Sequence, residues 1–507
     1  MKSFYNTCIL FILSIITNQA QESLSAKLLD SISQKPIPFA TIALNETSGV
    51  ISNETGKFQL YFRKKTKLTD SIFIRCLGYQ NKRLLLKNLK DSIIFLNPKT
   101  IELNEVMVSN KNYTVEEIIE KTKENIENNY EFSFTKSKLF YRSSFFSNIL
   151  KSDIKIKKTT IPEFNQRFID SVLKVIPKNA DNYTEILANI YGKTGDKDLQ
   201  KLDIIKSSKL YDKSKEVSFK SFEEKFNKII KKHIKRDSYF KIKSGFFGTK
   251  EEIDSSFFET YSNDETDKTK AFLDAQKKKE EKRKKNFLNY RKNSIHNIRH
   301  NSFIFENSKL NFLEKHNRYN FKIEDYSFIN DYFVYKISFF PKRNADYKGF
   351  IYINTNDFAI VRVDYENVKP LKTFNLLGIS YNYYLKKGTL IYTKNATNKY
   401  TLKYADVKEG NKFGIKRPLK IIEKNKHTRG RRKQNELSSD IHFIISSTIK
   451  NELIVFENES ITKANFDNFI EKPKVEPIYL PKYDPEFWKG YNVIEPNQAI
   501  KDFKSIE

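Results

Sequence analysis

The feature that most constrains this chain is a two-residue alternation of apolar and polar side chains, present in two stretches and interrupted between them by long charged runs. An alternation of that period puts every second side chain on one face of a strand, so each stretch must pair in a sheet and bury a face. The first stretch runs from Leu24 to Leu96 and the second begins at about Asn301. Between about Ile161 and Asn293 the alternation fades and helical spacing and charge take over. The expected class is therefore mainly β with helical insertions (α+β). At 39% hydrophobic and 14% aromatic the chain can pack cores of this kind, and with only 14 Gly and 13 Pro it is neither collagen-like nor proline-rich.

The first stretch, residues 21–99, reads as short strands divided by turn chemistry. Pro36-Ile37-Pro38 lacks two of three ladder donors and marks a strand edge, after which Phe39 to Leu44 reads as a strand. Gly49 to Ser52 and Lys57 to Phe62 flank the turn Asn53-Glu54-Thr55-Gly56, and Phe58, Leu60 and Phe62 fall on one face. Ser71 to Arg75 and Ser92 to Leu96 complete a set of about seven short strands, the pattern of a β-sandwich.

Four segments in this region, Pro38-Phe39-Ala40-Thr41, Ser52-Asn53-Glu54-Thr55-Gly56-Lys57-Phe58, Leu77-Gly78-Tyr79 and Leu103-Asn104-Glu105-Val106-Met107-Val108, resemble the carboxypeptidase regulatory-like domain in order and spacing. The resemblance implies a prealbumin-like β-sandwich of the kind found at the N-termini of exported proteins of the Bacteroidota, an accessory module without catalysis. In outer-membrane nutrient receptors of that group the module precedes a plug and a large barrel. Here a helical signal follows Val108, which argues against a transporter.

Export is also the reading of residues 1–20. Lys2, the apolar run from Cys8 to Ile16 and the small residue Ala20 have the layout of a cleavable signal peptide, and the run is too short to span a bilayer. No later stretch is apolar enough to span, so no transmembrane segment is expected after signal removal. Cleavage leaves Cys76 as the single cysteine, expected as a buried thiol at a strand end, with no intrachain disulfide.

The formal net charge of +29 invites a nucleic-acid reading, but 75 of the 91 basic residues are Lys and only 16 are Arg. Base-edge and bidentate phosphate recognition favours Arg, so no nucleic acid is expected. For an exported chain the matching partners are an envelope protein, lipid or polysaccharide, with peripheral membrane contact.

Residues 100–112 read as a linker, and 113–300 as a helix, a strand opening a second β region, and a charged helical insertion. Thr114 caps a helix that runs to about Asn129, with Val115, Ile118, Ile119, Thr122 and Ile126 as its apolar stripe. Phe140 to Phe145 reads as a strand, and Phe164 to Val175 and Glu223 to Ile234 as helices. The basic run Lys277 to Lys285 reads as a hydrated insertion, with anionic headgroups or polysaccharide as its sharper reading.

Residues 301–460 read as a larger curved antiparallel β domain. Strands are expected at Tyr332 to Phe340, Gly349 to Ile353, Phe358 to Tyr365, Ile379 to Leu385, Thr389 to Thr393, Tyr400 to Asp406, Pro418 to Lys424, Ile441 to Ser447 and Ile454 to Phe456. The Gly349 to Val363 hairpin is weakly similar to those of lipoprotein-carrier half-barrels, which implies a sheltered apolar concavity. Tyr332, Tyr335, Phe339 and Phe350 are the residues expected to line it, with plain core packing as the competing role. Residues 461–507 read as a docking tail whose aromatics cover a sheet edge, and its Trp488, the one tryptophan, is a further binding candidate.

A catalytic reading finds little support. His296 and His300 stand four apart, but Asn297 occupies the place of the metalloprotease base, and the pair reads as two exposed histidines in a basic segment. Neither a nucleophile elbow nor a phosphate loop is present, and no catalytic, cofactor or metal residue is assigned. The leading expectation is a non-enzymatic cell-envelope protein of the periplasm or outer membrane that binds an envelope partner or an amphiphile. The alternative is a hydrolase acting on surface glycans or peptides through a site without a recognised motif.

Overall fold

A computed structural model describes residues 23–505 apart from 46–47, 63–65, 68, 90–91, 100–112, 236, 253–281, 283–285, 330–331, 431 and 473–474. The expected signal peptide, the linker 100–112, the motif Leu103 to Val108 and the basic run 277–285 apart from Lys282 lie outside the described residues. The chain divides into two units, one built from residues 1–100, 328–331 and 484–497, the other from the remainder.

The first unit is a two-sheet sandwich. Its strands are β1 (Ser23–Asp30), β2 (Thr41–Leu44), β3 (Ser48–Ile51), β4 (Lys57–Tyr61), β5 (Ser71–Arg75), β6 (Lys82–Leu85) and β7 (Ile93–Leu96). They form one sheet in the order β4-β1-β7 and another in the order β3-β2-β5-β6. Leu28, Ile42, Val50, Phe58, Leu60, Ile72, Ile74 and Ile94 fill the space between them, and Cys76 is buried at the same core. Phe58, Leu60 and Phe62 share the buried face, as the alternation requires.

The turn between β3 and β4 is set by two residues. The Asn53 side-chain oxygen accepts from the backbone N–H of Thr55 (2.9 Å) and Lys57 (3.0 Å), while Gly56 takes φ +76° with the Leu28 carbonyl only 2.5 Å from where a Cβ would stand. Nearby, Phe39 adopts φ +61°, so β2 begins at Thr41 and not at Phe39. The Ser52 hydroxyl, fully buried, donates to the Ile37 carbonyl (2.9 Å) and accepts from the Ala40 N–H (2.9 Å).

Replacing Ser52 with alanine therefore leaves two buried backbone groups unmatched and is expected to cost about 1–3 kcal/mol. Trp488 lies buried in this unit, so its fluorescence during urea unfolding reports the loss. An unchanged midpoint would show that the bridge contributes nothing.

The segment 484–497 covers the outer edge of β4. The Tyr61 N–H donates to the Asn492 side-chain oxygen (2.8 Å), and the Asn53 amide donates to the Glu495 carbonyl (3.2 Å). An edge strand closed in this way offers no ladder to another chain.

The second unit is one 14-stranded sheet. Its strands are β8 (Phe134–Thr159), β9 (Asn179–Lys193), β10 (Gln200–Leu210), β11 (Ser238–Ser244), β12 (Phe247–Glu252), β13 (Tyr319–Ile329), β14 (Tyr332–Pro341), β15 (Tyr347–Asn354), β16 (Ile360–Asn367), β17 (Lys372–Leu376), β18 (Ile379–Lys394), β19 (Tyr400–Asn425), β20 (Lys433–Ser460) and β21 (Ile478–Leu480). The main path runs β13-β14-β15-β16-β18-β19-β20-β8-β9-β10-β21, with β17 beside β18 and the β11–β12 hairpin beside β19. The longer helices that accompany it are α1 (Val115–Glu124), α2 (Gln166–Val175), α3 (Ser214–His233) and α4, over residues 286–300, with short helices at Ile126–Asn129, Lys463–Asn468 and Gln498–Lys501.

The structure differs from the sequence reading in its strands. β9, β10, β11 and β12 lie in the stretch assigned to helices and charge; in β9, Tyr183 to Ala188 is buried on both faces and so shows no alternation. The expected strand pairs Tyr400–Asp406 with Pro418–Lys424, and Ile441–Ser447 with Ile454–Phe456, are each one continuous strand, of 26 and 28 residues. At about 3.3 Å per residue such strands reach on the order of 90 Å. Among the described residues no helix is long and apolar enough to cross a membrane.

Candidate functional site

Directly opposite residues in a ladder share a face, so the register of the long strands defines what each face presents. One row reads Phe374, Tyr381, Phe413, Ile445 and Ile149 across β17, β18, β19, β20 and β8. The next reads Leu376, Ile379, Ile415 and Phe443, ending at Ser152, and the row beyond it is Arg417, Ile441 and Ile154, with the buried Arg417 guanidinium bonded to Ser244. The other face of the same strands carries Lys412, Lys416 and Lys420 on β19, and Lys151, Lys155 and Lys158 on β8, with Asp153 and Asp440 among them.

This length of sheet is thus amphipathic, and its apolar face is not packed away. Phe374, Leu376 and Phe413 are 45%, 57% and 43% exposed, and Ile441 to Ile449 are all half-buried. A contiguous exposed apolar surface of this extent is uncommon on a soluble protein without a partner.

Further along the same strands, the same face enters a cavity of about 320 Å³. Its floor is Ile421 opposite Leu437, with Ile242 of β11 beside Ile421. Its roof is Phe226, Ile230 and Ile234 from α3 and the residue beyond it, with Ile161 and Phe164 closing the side. Phe164 stacks on Phe226 at 5.2 Å.

The polar groups at the cavity wall are committed elsewhere. Buried Glu423 accepts from the Lys235 N–H (2.9 Å), the Ser238 hydroxyl (2.6 Å) and the Asn435 amide (2.7 Å), and Glu436 pairs with Lys420 (2.8 Å) and Lys433. Glu163, beside the roof, pairs with Lys232 and His233 at 2.7 Å each, and the hydrogen bonds from His233 and Lys232 hold its carboxyl down to about 2.

α2 stands at the border of this face. Past Asn148, β8 has no β9 partner, and the Gln166 side chain takes the place of a strand, accepting from the Ile156 N–H and donating to the Ile154 carbonyl at 2.8 Å each. The helix has a strongly one-sided apolar stripe, Phe168, Ile169, Val172 and Leu173, yet none of its residues is fully buried.

The aromatics expected to line a concavity do not converge. Tyr335 and Phe339 are buried on one face of β14, where Phe339 stacks on Phe312 at 4.5 Å and Tyr335 lies 5.5 Å from Tyr326. Phe350, opposite Ser338, is on the other face and 39% exposed, beneath the Lys336 ammonium. Tyr332 shares the parity of Ser338 and lies 5.9 Å from the Lys394 ammonium. Trp488 belongs to the first unit, edge-on to Phe487 at 5.0 Å.

The two histidines expected to be exposed on one helix face do share that face, since their rings stack at 5.2 Å on α4. His296 is buried, however, with Nδ1 3.0 Å from the Gln200 amide, and burial lowers its pKa. No group of metal-ligating side chains is gathered among the described residues. The signal that locates the apolar face was present in Lys151-Ser152-Asp153-Ile154-Lys155-Ile156, where charged residues alternate with Ser152, Ile154 and Ile156.

The architecture is that of a mainly β protein with an N-terminal sandwich and a larger sheet domain. Residues 24–108 match the family model of the CarboxypepD_reg-like domain. No curated protein matches the sequence. Among solved structures, a LolA superfamily protein from Nitrosomonas europaea aligns at 8% identity over 69% of this chain and 95% of its own, with a TM-score of 0.18. A DUF1329 family protein from Desulfovibrio piger aligns at 8% over 70% and 97%, with a TM-score of 0.19. The Pseudomonas aeruginosa MucA/MucB complex aligns at 5% over 64% and 92%, with a TM-score of 0.15. Scores this low do not establish a shared fold.

Proposed function

We propose that this chain is a non-enzymatic cell-envelope protein whose β domain binds an amphiphile along the apolar face of β17, β18, β19, β20 and β8. The observation that carries the reading is the row Phe374, Tyr381, Phe413, Ile445 and Ile149, half-exposed and on the same face of β19 and β20 as the apolar cavity under α3, with Arg417 tied down by Ser244 between them. An apolar chain laid on this face gains dispersion and hydrophobic contact at the rows of Phe413 and Ile415, while the lysine-bearing face opposite remains hydrated. The CarboxypepD_reg-like sandwich serves as an accessory adaptor for an envelope partner. The chain is exported, to the periplasm or the inner side of the outer membrane, where its basic face suits an anionic lipid or polysaccharide surface.

A polarity-sensitive naphthylamine probe tests the reading. Titrated into the full chain, it is expected to brighten and shift to the blue in a saturable manner, and a long-chain fatty acid is expected to displace it. A linear, non-saturating response, or one that fatty acid leaves unchanged, overturns the proposal.

A further inference from the structure

A second pocket lies where the end of α4 meets the starts and ends of the central strands. Arg299, Thr135, Ser137, Thr194, Thr401 and Asn458 contribute to its polar lining together with Glu131, Tyr392 and Tyr400, and its volume is about 20 Å³. Arg299 is 8% exposed, and its hydrogen bond among the described residues is the one that a guanidinium nitrogen donates to the Thr194 hydroxyl (2.6 Å). No carboxylate among the described residues pairs with it. Glu131, on the same lining, is saturated by Ser133, Asn395 and Thr397. The hydroxyl of buried Thr135 has no hydrogen-bond partner.

A guanidinium this buried ordinarily faces an acid, because an uncompensated charge away from water costs several kcal/mol. Burial alone brings the Arg299 pKa down to about 10. The carbonyl end of α4 offsets part of the charge, roughly half an elementary unit. The Arg299 guanidinium and the orphaned Thr135 hydroxyl together suit an acceptor that carries charge.

We propose that this pocket is a binding site for one small inorganic anion of chloride size, held by the Arg299 guanidinium and the Thr135 hydroxyl. A space of about 20 Å³ admits a single water-sized particle, since one water requires about 10–15 Å³. Sulfate, phosphate and lipid headgroups are excluded by size. The site is separate from the amphiphile-binding face and does not depend on it.

The test is a bromide soak of crystals of the full chain, paired with thermal melts in sodium chloride and in sodium gluconate at matched ionic strength. The expected results are an anomalous peak beside the Arg299 guanidinium and a melting temperature higher in chloride by about 2 °C at a tenfold excess over the dissociation constant. Arg299→Met is expected to abolish the chloride dependence. No bromide peak, or an undiminished chloride dependence in R299M, overturns the proposal. If R299M does not fold, the bromide map of the unaltered chain decides.

Discussion

Replacing Arg142 with methionine is expected to destabilise the β domain by about 3–5 kcal/mol, the cost of leaving buried charges without their partner. Arg142 is 1% exposed at the centre of the sheet, where it bonds Glu185 through Nε and a terminal nitrogen at 2.7 Å each and lies 3.6 Å from Glu452. These residues stand in one cross-strand row, Asp364, Thr389, Asp406, Glu452, Arg142, Glu185 and Ser208, on β16, β18, β19, β20, β8, β9 and β10. Lys450 bridges Asp406 and Glu452 at 3.2 Å each, and the Thr389 hydroxyl donates to Asp364 (2.7 Å).

Methionine keeps much of the volume of Arg142 and removes its charge, so buried Glu185 loses its cation and buried Glu452 keeps only Lys450. The check is urea unfolding followed by far-UV circular dichroism. The triple variant Arg142→Met, Glu185→Gln, Glu452→Gln is expected to recover part of the loss, because neutral amides tolerate burial that carboxylates do not. A single variant as stable as the parent would show that the row is not electrostatically coupled.

The second large effect is on binding. Replacing Ile445 with glutamate is expected to weaken the naphthylamine probe at least tenfold, equivalent to about 1.4 kcal/mol, because the bound chain would have to desolvate a carboxylate in the middle of the apolar row. Ile445 is only half-buried, so in the unliganded protein the new side chain remains in water and stability changes little. The control is its neighbour. Ser446 points to the opposite face, in register with Lys412 and Asn148, and Ser446→Glu is expected to leave probe binding unchanged. Equal loss in both variants would trace the effect to charge alone, and no loss in either would remove the apolar face as the site.

Much of the sandwich was legible because its turns depend on local chemistry: Asn53 and Gly56 mark a hairpin whatever surrounds them. The long strands were legible only in pieces. In β19 the segment between Asp406 and Pro418 holds Gly410 and Gly414 among lysines, which reads as a break. In the structure Gly410 lies under the Tyr384 ring, where a Cβ would approach within 2.7 Å, so the glycine makes room for a cross-strand aromatic and does not end the strand. The alternation of charge and isoleucine around Ile154 carries the signal of a two-faced strand, which the sequence reading did not extend beyond Phe145, and its register against β20 comes from tertiary pairing that no local pattern carries. The buried pocket at Arg299 was out of reach for the same reason, since its lining comes from six separate parts of the chain.

The pairing of β8 with β20 bears on how this chain can be made and delivered. Thr135 finds its partner at Ser460 and Thr159 at Leu437, so the central ladder of the sheet joins residues far apart in the sequence. Contacts so distant in sequence close slowly and leave edges open while they wait. β8 has no β20 to pair with until residues 433–460 have emerged, and the sandwich is likewise without its edge cover until residues 484–497 follow. A nascent chain halted before residue 433 would present the open, half-apolar edge of β8 to its surroundings, which favours a chaperone that shields that edge until β20 arrives.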